Sequence, residues 1–486
     1  MGIFSSHPIS AKSGSDLWPR AGASQAISGH PASAALGKAP GGFWLAKDAK
    51  DPQWLVIDLG HVTKLISVTQ TFVAAAAWRF RVEGSNSGAT ASDTEWVLLA
   101  EHDGSRIGRI FIDKVKGNWR YVRLVVSGGG VPNSVSLRLT GSPLRVPPLA
   151  TAPRPSSHSD LIIMAQSCDL WSARRFWQSL ANTPSGWRPL LGEYDEALDE
   201  ITDAHISQLK EYGIDGFQSC WFREKGNAGR PVMAEYDGLI QSLARSAPRR
   251  NQVRWSIFWD NVNPAADGIS SASDFTQNVA PFWIAAYLTR PNYLTLDGRP
   301  VVGFFSAETF MRQAGGTAPA REALLAFRDL ARRAGLPGLV LLANNSGDAR
   351  ADNSLMRELG FDAVMAYATP ISTGLLTQTA PDDLAVMQAE RQSWSDWGQY
   401  SQVEAVLTAS VGYDQRPWGE GPVHYLLTPQ DWRRITRDAI SRARGLPPGS
   451  IGRRLLYLDN WNEFGEGHFL EPTVAFGDDY LRGLLP

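Results

Sequence analysis

Leu455-Leu456-Tyr457-Leu458-Asp459-Asn460-Trp461-Asn462-Glu463-Phe464-Gly465-Glu466-Gly467 is the stretch that decides how this chain is read. An apolar run suited to a buried strand stops in a cluster of aromatic, amide and acidic side chains, with two glutamates three residues apart. A (β/α)₈ barrel builds its site in this way, at the C-terminal ends of its strands. Two neighbouring carboxyl groups are also the least that cleavage of a glycosidic bond requires, one as acid and the other as base or nucleophile. Glu463 and Glu466 are therefore the candidate catalytic pair. If both face one pocket, their repulsion raises one proton affinity and separates acid from base.

Upstream of this run, apolar strand candidates recur at 161–167, 213–222, 253–260, 300–305, 339–344, 361–368 and 403–410, and 455–460 completes a set of eight. Helical patterns separate most of them. Leu198, Ile201, His205, Leu209 and Tyr212 follow helical spacing, and 320–334 is a long run of helix formers. Thr428-Pro429-Gln430-Asp431 reads as an N-cap, a proline in the first turn and an acid facing the helix dipole. Eight strands alternating with helices predict a (β/α)₈ barrel over 158–486. No strand is followed by the glycine-rich turn that would favour a doubly wound sheet.

The strand ends carry the residues a sugar site needs, polar partners for hydroxyls and flat faces for rings. Candidate substrate-binding residues are Trp221, Trp259, Asp260, Glu308, Tyr367, Asp414, Trp461 and Asn462. Asp260, Glu308 and Asp414 read as hydrogen-bonding or structural acids rather than proton donors. His205 falls on the apolar stripe of its helix, which makes it a core histidine. Cys168 and Cys220 each close a strand-like run; two cysteines are no disulfide framework, so two reduced thiols are expected, close together if the strands are neighbours.

Before the barrel, short strands at 54–60, 65–72, 78–82, 96–100, 109–113, 121–126 and 135–140, with no long amphipathic helix, predict an all-β sandwich over 1–142. Residues 143–157 hold five prolines and form a stiff spacer between the two domains.

Composition narrows the function. A formal net charge of -2 lacks the basic footprint of a nucleic-acid binder. Eighteen tryptophans suit a carbohydrate ligand, although a large barrel also buries many. No apolar run reaches the roughly 18 residues of a membrane span. Met1 to Pro8 has neither a basic nor an apolar leader region, so the chain either stays inside the cell or begins after a removed leader. No zinc spacing, Walker loop or nucleophile elbow occurs, and neither a metal nor another cofactor is expected.

These residues resemble a known family. Gly192-Glu193-Tyr194, the helix with His205, Glu211-Tyr212-Gly213-Ile214-Asp215-Gly216-Phe217 and Tyr293-Leu294-Thr295-Leu296-Asp297-Gly298-Arg299-Pro300-Val301-Val302 are similar to the glycoside hydrolase family 99-like group. The sharpest match is Trp461-Asn462-Glu463-Phe464-Gly465-Glu466-Gly467 with Leu470-Glu471-Pro472, and the resemblance spans about 160–475. It implies a retaining, endo-α-mannosidase-related barrel in which Glu463 removes the proton of the sugar's own 2-hydroxyl. That oxygen attacks C1 to give a 1,2-anhydro sugar, while Glu466 protonates the leaving oxygen and then activates water; Tyr367 matches a pocket tyrosine. The chain departs from the mannosidases at Phe258-Trp259-Asp260-Asn261, where they end the third strand on histidine, and at Phe464 and Gly465, where they have Trp and His. Val411-Gly412-Tyr413-Asp414-Gln415-Arg416-Pro417 looks more like the bacterial polysaccharide-locus branch, labelled glycosyltransferases.

The first domain resembles coagulation factor 5/8 type C and family 32 carbohydrate-binding modules through Pro52-Gln53-Trp54-Leu55-Val56-Ile57-Asp58-Leu59-Gly60, Val82-Glu83-Gly84-Ser85 and Arg120-Tyr121-Val122-Arg123-Leu124. Its counterpart of the calcium loop, Ala26-Ile27-Ser28-Gly29-His30, lacks the acid, so no metal follows. The domain type implies a secreted or periplasmic protein. The expected function is a retaining glycoside hydrolase acting on a polysaccharide or glycan. The alternatives are a glycosyltransferase of polysaccharide assembly and a non-catalytic glycan-binding protein.

Overall fold

The computed structural model describes residues 20–484 apart from 25, 27–31, 37–42, 47, 49–51, 87–95, 131–135, 144–159, 172–173, 181–182, 245–247, 346–348, 351–353, 373, 377, 415 and 419–422. The spacer beyond Pro143, the calcium-loop counterpart from Ile27 to His30, and Gln415 lie outside the described residues. The chain divides into two compact units, Met1–Val146 with Met233–Glu235, and Pro147–Val232 with Tyr236–Pro486. Among the described residues no helix is long and apolar enough to cross a membrane.

The first unit is a β-sandwich of seven strands, Arg20–Ala23, Gln53–Ala76, Arg79–Ser85, Val97–Asp103, Gly108–Lys114, Asn118–Gly128 and Ser136–Pro143. Two of the predicted strands, 54–60 and 65–72, are one strand of 24 residues. Its first half pairs with Asn118–Gly128, and its second half pairs with Gly108–Lys114 and Ser136–Pro143. Gly60-His61-Val62 carries no reversing signal, so the chain bends through a register shift between Asp58 and Thr63 and stays extended. Alternate residues fill the core, among them Leu55, Ile57, Val68, Phe72, Phe80, Val82, Val122 and Leu124. Arg120 grips Asp58 through two buried hydrogen bonds of 2.9 and 3.0 Å, which satisfies a charge that burial would otherwise penalise.

The second unit is the barrel. Its parallel strands are Ile162–Ser167, Gly216–Arg223, Arg254–Trp259, Arg299–Phe304, Val340–Asn344, Ala363–Met365, a seventh in two pieces (Glu404–Ala405 and Thr408–Ser410), and Leu455–Asp459. The seventh strand closes the ring. Its first piece pairs with the sixth strand and its second piece with the eighth, which in turn pairs with the first. The expected helices pack around it. Asp199–Glu211 buries Thr202, His205, Ile206 and Leu209, and Thr317–Arg333 buries Ala320, Ala323, Leu324, Phe327 and Ala331. Thr428 caps Pro429–Gly445 by accepting from the Asp431 N–H at 3.3 Å. Strands buried on both faces explain why they read as continuous apolar runs without alternation.

Candidate active site

Past Asp459 the eighth strand gives way to a small antiparallel hairpin. Asn462–Glu463 pairs with His468–Phe469, with Glu463 opposite His468 and Asn462 opposite Phe469. A single helical turn, Phe464–Glu466, connects them and ends on Gly467 in the left-handed region at φ 60°. Gly467 is required twice over: the φ favours glycine, and a Cβ there would lie 2.7 Å from Cβ of Asp414. Gly465 is covered by the Trp418 indole, whose nearest atom would stand 1.9 Å from an added Cβ. The motif is thus a device for holding Glu463, Glu466 and His468 together over the barrel mouth.

The two glutamates sit in opposite surroundings. Glu463 is buried, and its Oε1 has no hydrogen-bond partner among the described residues. Burial first, and then the charge of Glu466, push its carboxyl up to about 8, although the Cys168 thiol hydrogen-bonds to it. Glu466 is bathed in donors: its Oε2 accepts from the Tyr367 hydroxyl at 2.6 Å and lies 3.3 Å from Nε2 of His468. His468 is wholly buried, with Nε2 also 3.0 Å from the Tyr367 oxygen and Nδ1 3.6 Å from Oδ2 of Asp459. Burial works against a charge on this imidazole, but Asp459 and Glu466 outweigh it and push it up to about 10.

The walls of the mouth hold these groups in place. The Tyr367 N–H donates to Oδ1 of Asn344 at 3.0 Å. Asp459 Oδ2 accepts from the Ala368 N–H at 2.6 Å and from the Ser410 hydroxyl at 3.0 Å. Asp260 ends the third strand, takes hydrogen bonds from the Val262 and Asn263 N–H groups, and lies within electrostatic reach of Glu466; burial raises its proton affinity. Asp414 grips Arg416 through contacts of 2.8 and 2.7 Å and packs beside Gly467. Tyr367, Asp260 and Asp414 therefore gather with the glutamate pair.

Other expected residues lie elsewhere. Trp221 and Trp259 point away from the mouth and are fully buried against Trp283, with Phe275, Phe304 and Phe310 around Trp259. The strand alternates: Cys220 and Phe258 face inward, so their successors face the helices. Trp461 is buried too, its ring against His205 and Phe217. Asn462 is a strut, accepting from the Cys168 N–H at 3.0 Å and donating to Oε1 of Glu196 at 2.8 Å. Glu308 is exposed in the first turn of helix Ala307–Ala314, where the helix dipole favours an acid. His205 is a core histidine, 3.3 Å from Glu471, which also accepts from the Tyr194 hydroxyl at 2.6 Å. Cys168, just past the first strand, and Cys220, in the neighbouring second strand, are free, buried thiols.

Sequence reading missed His468, the partnership of Asp459, and Trp418. A signal for His468 existed: a hairpin that turns on Gly467 brings the next residue back opposite Glu463.

The chain thus carries a closed parallel ring with two neighbouring carboxyl groups past its eighth strand. It belongs to the family described as Glycosyltransferase WbsX, whose profile matches residues 188–484. Residues 20–140 match the F5/8 type C domain. The protein WxcX of Xanthomonas campestris pv. campestris, described as uncharacterized, is 25% identical over 304 residues, which are 60% of this chain and 41% of that protein. The chain thus spans less than half the length of the curated relatives it matches. Among solved structures, a glycoside hydrolase-like protein aligns over 69% of this chain and 96% of its own at 17% identity and a TM-score of 0.45. The GH99 endo-α-mannosidase of Bacteroides thetaiotaomicron aligns over 62% and 82% at 14% identity and a TM-score of 0.41.

Proposed function

We propose that the protein is a retaining glycoside hydrolase that cleaves a polysaccharide or glycan with Glu463 and Glu466. The observation that carries this reading is the contrast between them: one buried carboxyl pushed up to about 8, the other held by two donors. Carboxyl groups driven apart in proton affinity divide the work of acid and base. The resting contrast supports the pair, while the division of roles between Glu463 and Glu466 follows the resemblance of the motif and is the reverse of the resting proton placement. In the reaction Glu463 takes the proton of the sugar 2-hydroxyl, O2 attacks C1, and Glu466 gives its proton to the departing oxygen. Water then opens the 1,2-anhydro sugar; Glu466 takes the water proton and Glu463 returns its own to O2. At rest the pair shares one proton, favoured on Glu463, and the reaction requires that proton on Glu466 when the glycosidic oxygen leaves. An internal hydroxyl nucleophile gains a high effective molarity without an enzyme adduct.

Digestion of a panel of purified polysaccharides, with released ends identified by mass spectrometry, tests the activity. Glu466→Gln is expected to lose at least ~10²-fold in turnover on a natural glycan and less on an aryl glycoside with a good leaving group. Glu463→Gln is expected to impair both equally, and a 2-deoxy substrate to resist the wild type. Rapid turnover of the 2-deoxy sugar would overturn the anhydro route; full activity in both variants would remove the pair from the chemistry. The family's description favours a second reading, transfer from an activated sugar donor, which would appear as glycan extension without new ends.

A further inference from the structure

We propose that His468 is a positioning residue, an imidazolium held against Asp459 that acts with the Tyr367 hydroxyl to fix the carboxylate of Glu466 and keep its charge in the mouth. The proposal rests on the reading of Glu466 as half of the catalytic pair. Its support is the count of protons around one ring. The Tyr367 hydroxyl has one proton, and its 2.6 Å contact gives that proton to Glu466. At 3.0 Å from the same oxygen, Nε2 of His468 must then donate, so Nε2 carries hydrogen. On the other side Nδ1 makes no hydrogen bond among the described residues and lies 3.6 Å from Oδ2 of Asp459. That oxygen already accepts from the Ala368 N–H and the Ser410 hydroxyl, so it carries no proton of its own. A bare ring lone pair turned towards it would be repelled, whereas an N–H is attracted. Both nitrogens are therefore protonated.

The groups around His468 agree. Asp459 comes from the eighth strand, Glu466 and Glu463 from its own hairpin, Tyr367 from the end of the sixth strand, and Tyr413 meets the ring edge-on at 5.8 Å. Glu390 and Tyr425 act on Asp459 from behind, and burial raises the proton affinity of both, which favours their neutral forms. The cation thus sits between carboxylates on two elements. It stabilises the ionised state that Glu466 reaches each time it gives up a proton.

Two measurements on the full chain test this. In His468→Gln the acidic limb of the kcat/KM profile is expected to move up by about one pH unit or more, because an opposite charge close to a carboxylate lowers its proton affinity by that order. Tyr367→Phe, which keeps the cation, is expected to move it less. A drop in kcat with both limbs unmoved would reduce His468 to a structural part and overturn the proposal. The second measurement needs neither a substrate nor the His468 variant: ¹⁵N-histidine NMR of the wild type and of Glu466→Gln. One imidazole of the eight is expected to stay protonated on both nitrogens through pH 9 and to lose its proton at lower pH in Glu466→Gln. If every imidazole titrates near its ordinary value, the proposal fails even where the hydrolase reading stands; if the NMR result holds and no glycan is cleaved, only the activity is in error.

Discussion

Glu463 and His468 face each other across a two-residue pairing and both hold protons longer than they would in an unfolded chain. The Glu463 carboxyl is raised from 4.5 to about 8, so between those values the folded state binds the extra proton and stability falls as pH rises. His468 is raised from 6.5 to about 10, so its contribution is full below 6.5 and is lost as pH climbs to about 10. The two windows overlap between 6.5 and 8, and urea titrations are expected to show the steepest loss of stability there. Each proton accounts for a slope of up to about 1.4 kcal/mol per pH unit. Glu463→Gln, which cannot ionise, is expected to flatten this slope and to be more stable than the parent at alkaline pH. An unchanged slope would show that Glu463 ionises normally in the fold. In the active protein, kcat/KM is expected to fall above about 8, where the pair loses its last shared proton.

A hairpin of two residues on each side cannot hold itself together in water. The Asn462–Glu463 and His468–Phe469 element is held from behind, and Asn462 is its main fastening. Its amide joins the Cys168 N–H after the first strand to Glu196, while Trp171 donates to its backbone carbonyl at 2.8 Å. Glu196 is itself deeply buried, and burial, reinforced by the charge of Asp169, raises its proton affinity strongly. Asn462→Ala removes a donor that this carboxyl needs and an acceptor that a buried N–H needs. The expected loss is about 3 kcal/mol in urea denaturation, the order found when buried polar groups lose their partners. A loss within about 0.5 kcal/mol, the usual range of a surface substitution, would show that the hairpin does not depend on this strut. Phe464 completes the fastening from the apolar side, edge-on to Trp171 and stacked with Phe469.

The two units have different internal logic, antiparallel layers in one and a closed parallel ring in the other. Each encloses its own apolar core. Five prolines between 143 and 157 are a composition that disfavours helix and central strand. Limited proteolysis of the full chain is expected to cut there first and to leave two stable fragments, because exposed connections are nicked before packed elements. First cuts within the barrel or within the sandwich would contradict two separately folded domains.

The sequence alone determined the classes of both units and singled out the glutamate pair as the candidate site. Eight apolar runs separated by helical spacing are a one-dimensional signal, since a strand buried on both faces must be apolar throughout. The motif around Glu463 was legible because a polar cluster ending such a run has few other uses. What the linear order concealed was direction and partnership. Trp221 and Trp259 close their strands as well as any sugar-stacking residue would, but the face each side chain takes depends on pleat and register, and both turn towards the helices. Asn462 sits beside Glu463 in sequence and on the opposite face of the hairpin in space, where it carries structure. The runs 54–60 and 65–72 read as two strands, and only the continuous pairing of 53–76 with its neighbours shows them to be one. The Asp459, His468, Tyr367 and Glu466 cluster joins residues up to 101 positions apart, so no local pattern could have assembled it. Their proton affinities follow from burial and from charges brought close by the closure of the ring, and these exist only once the chain has folded.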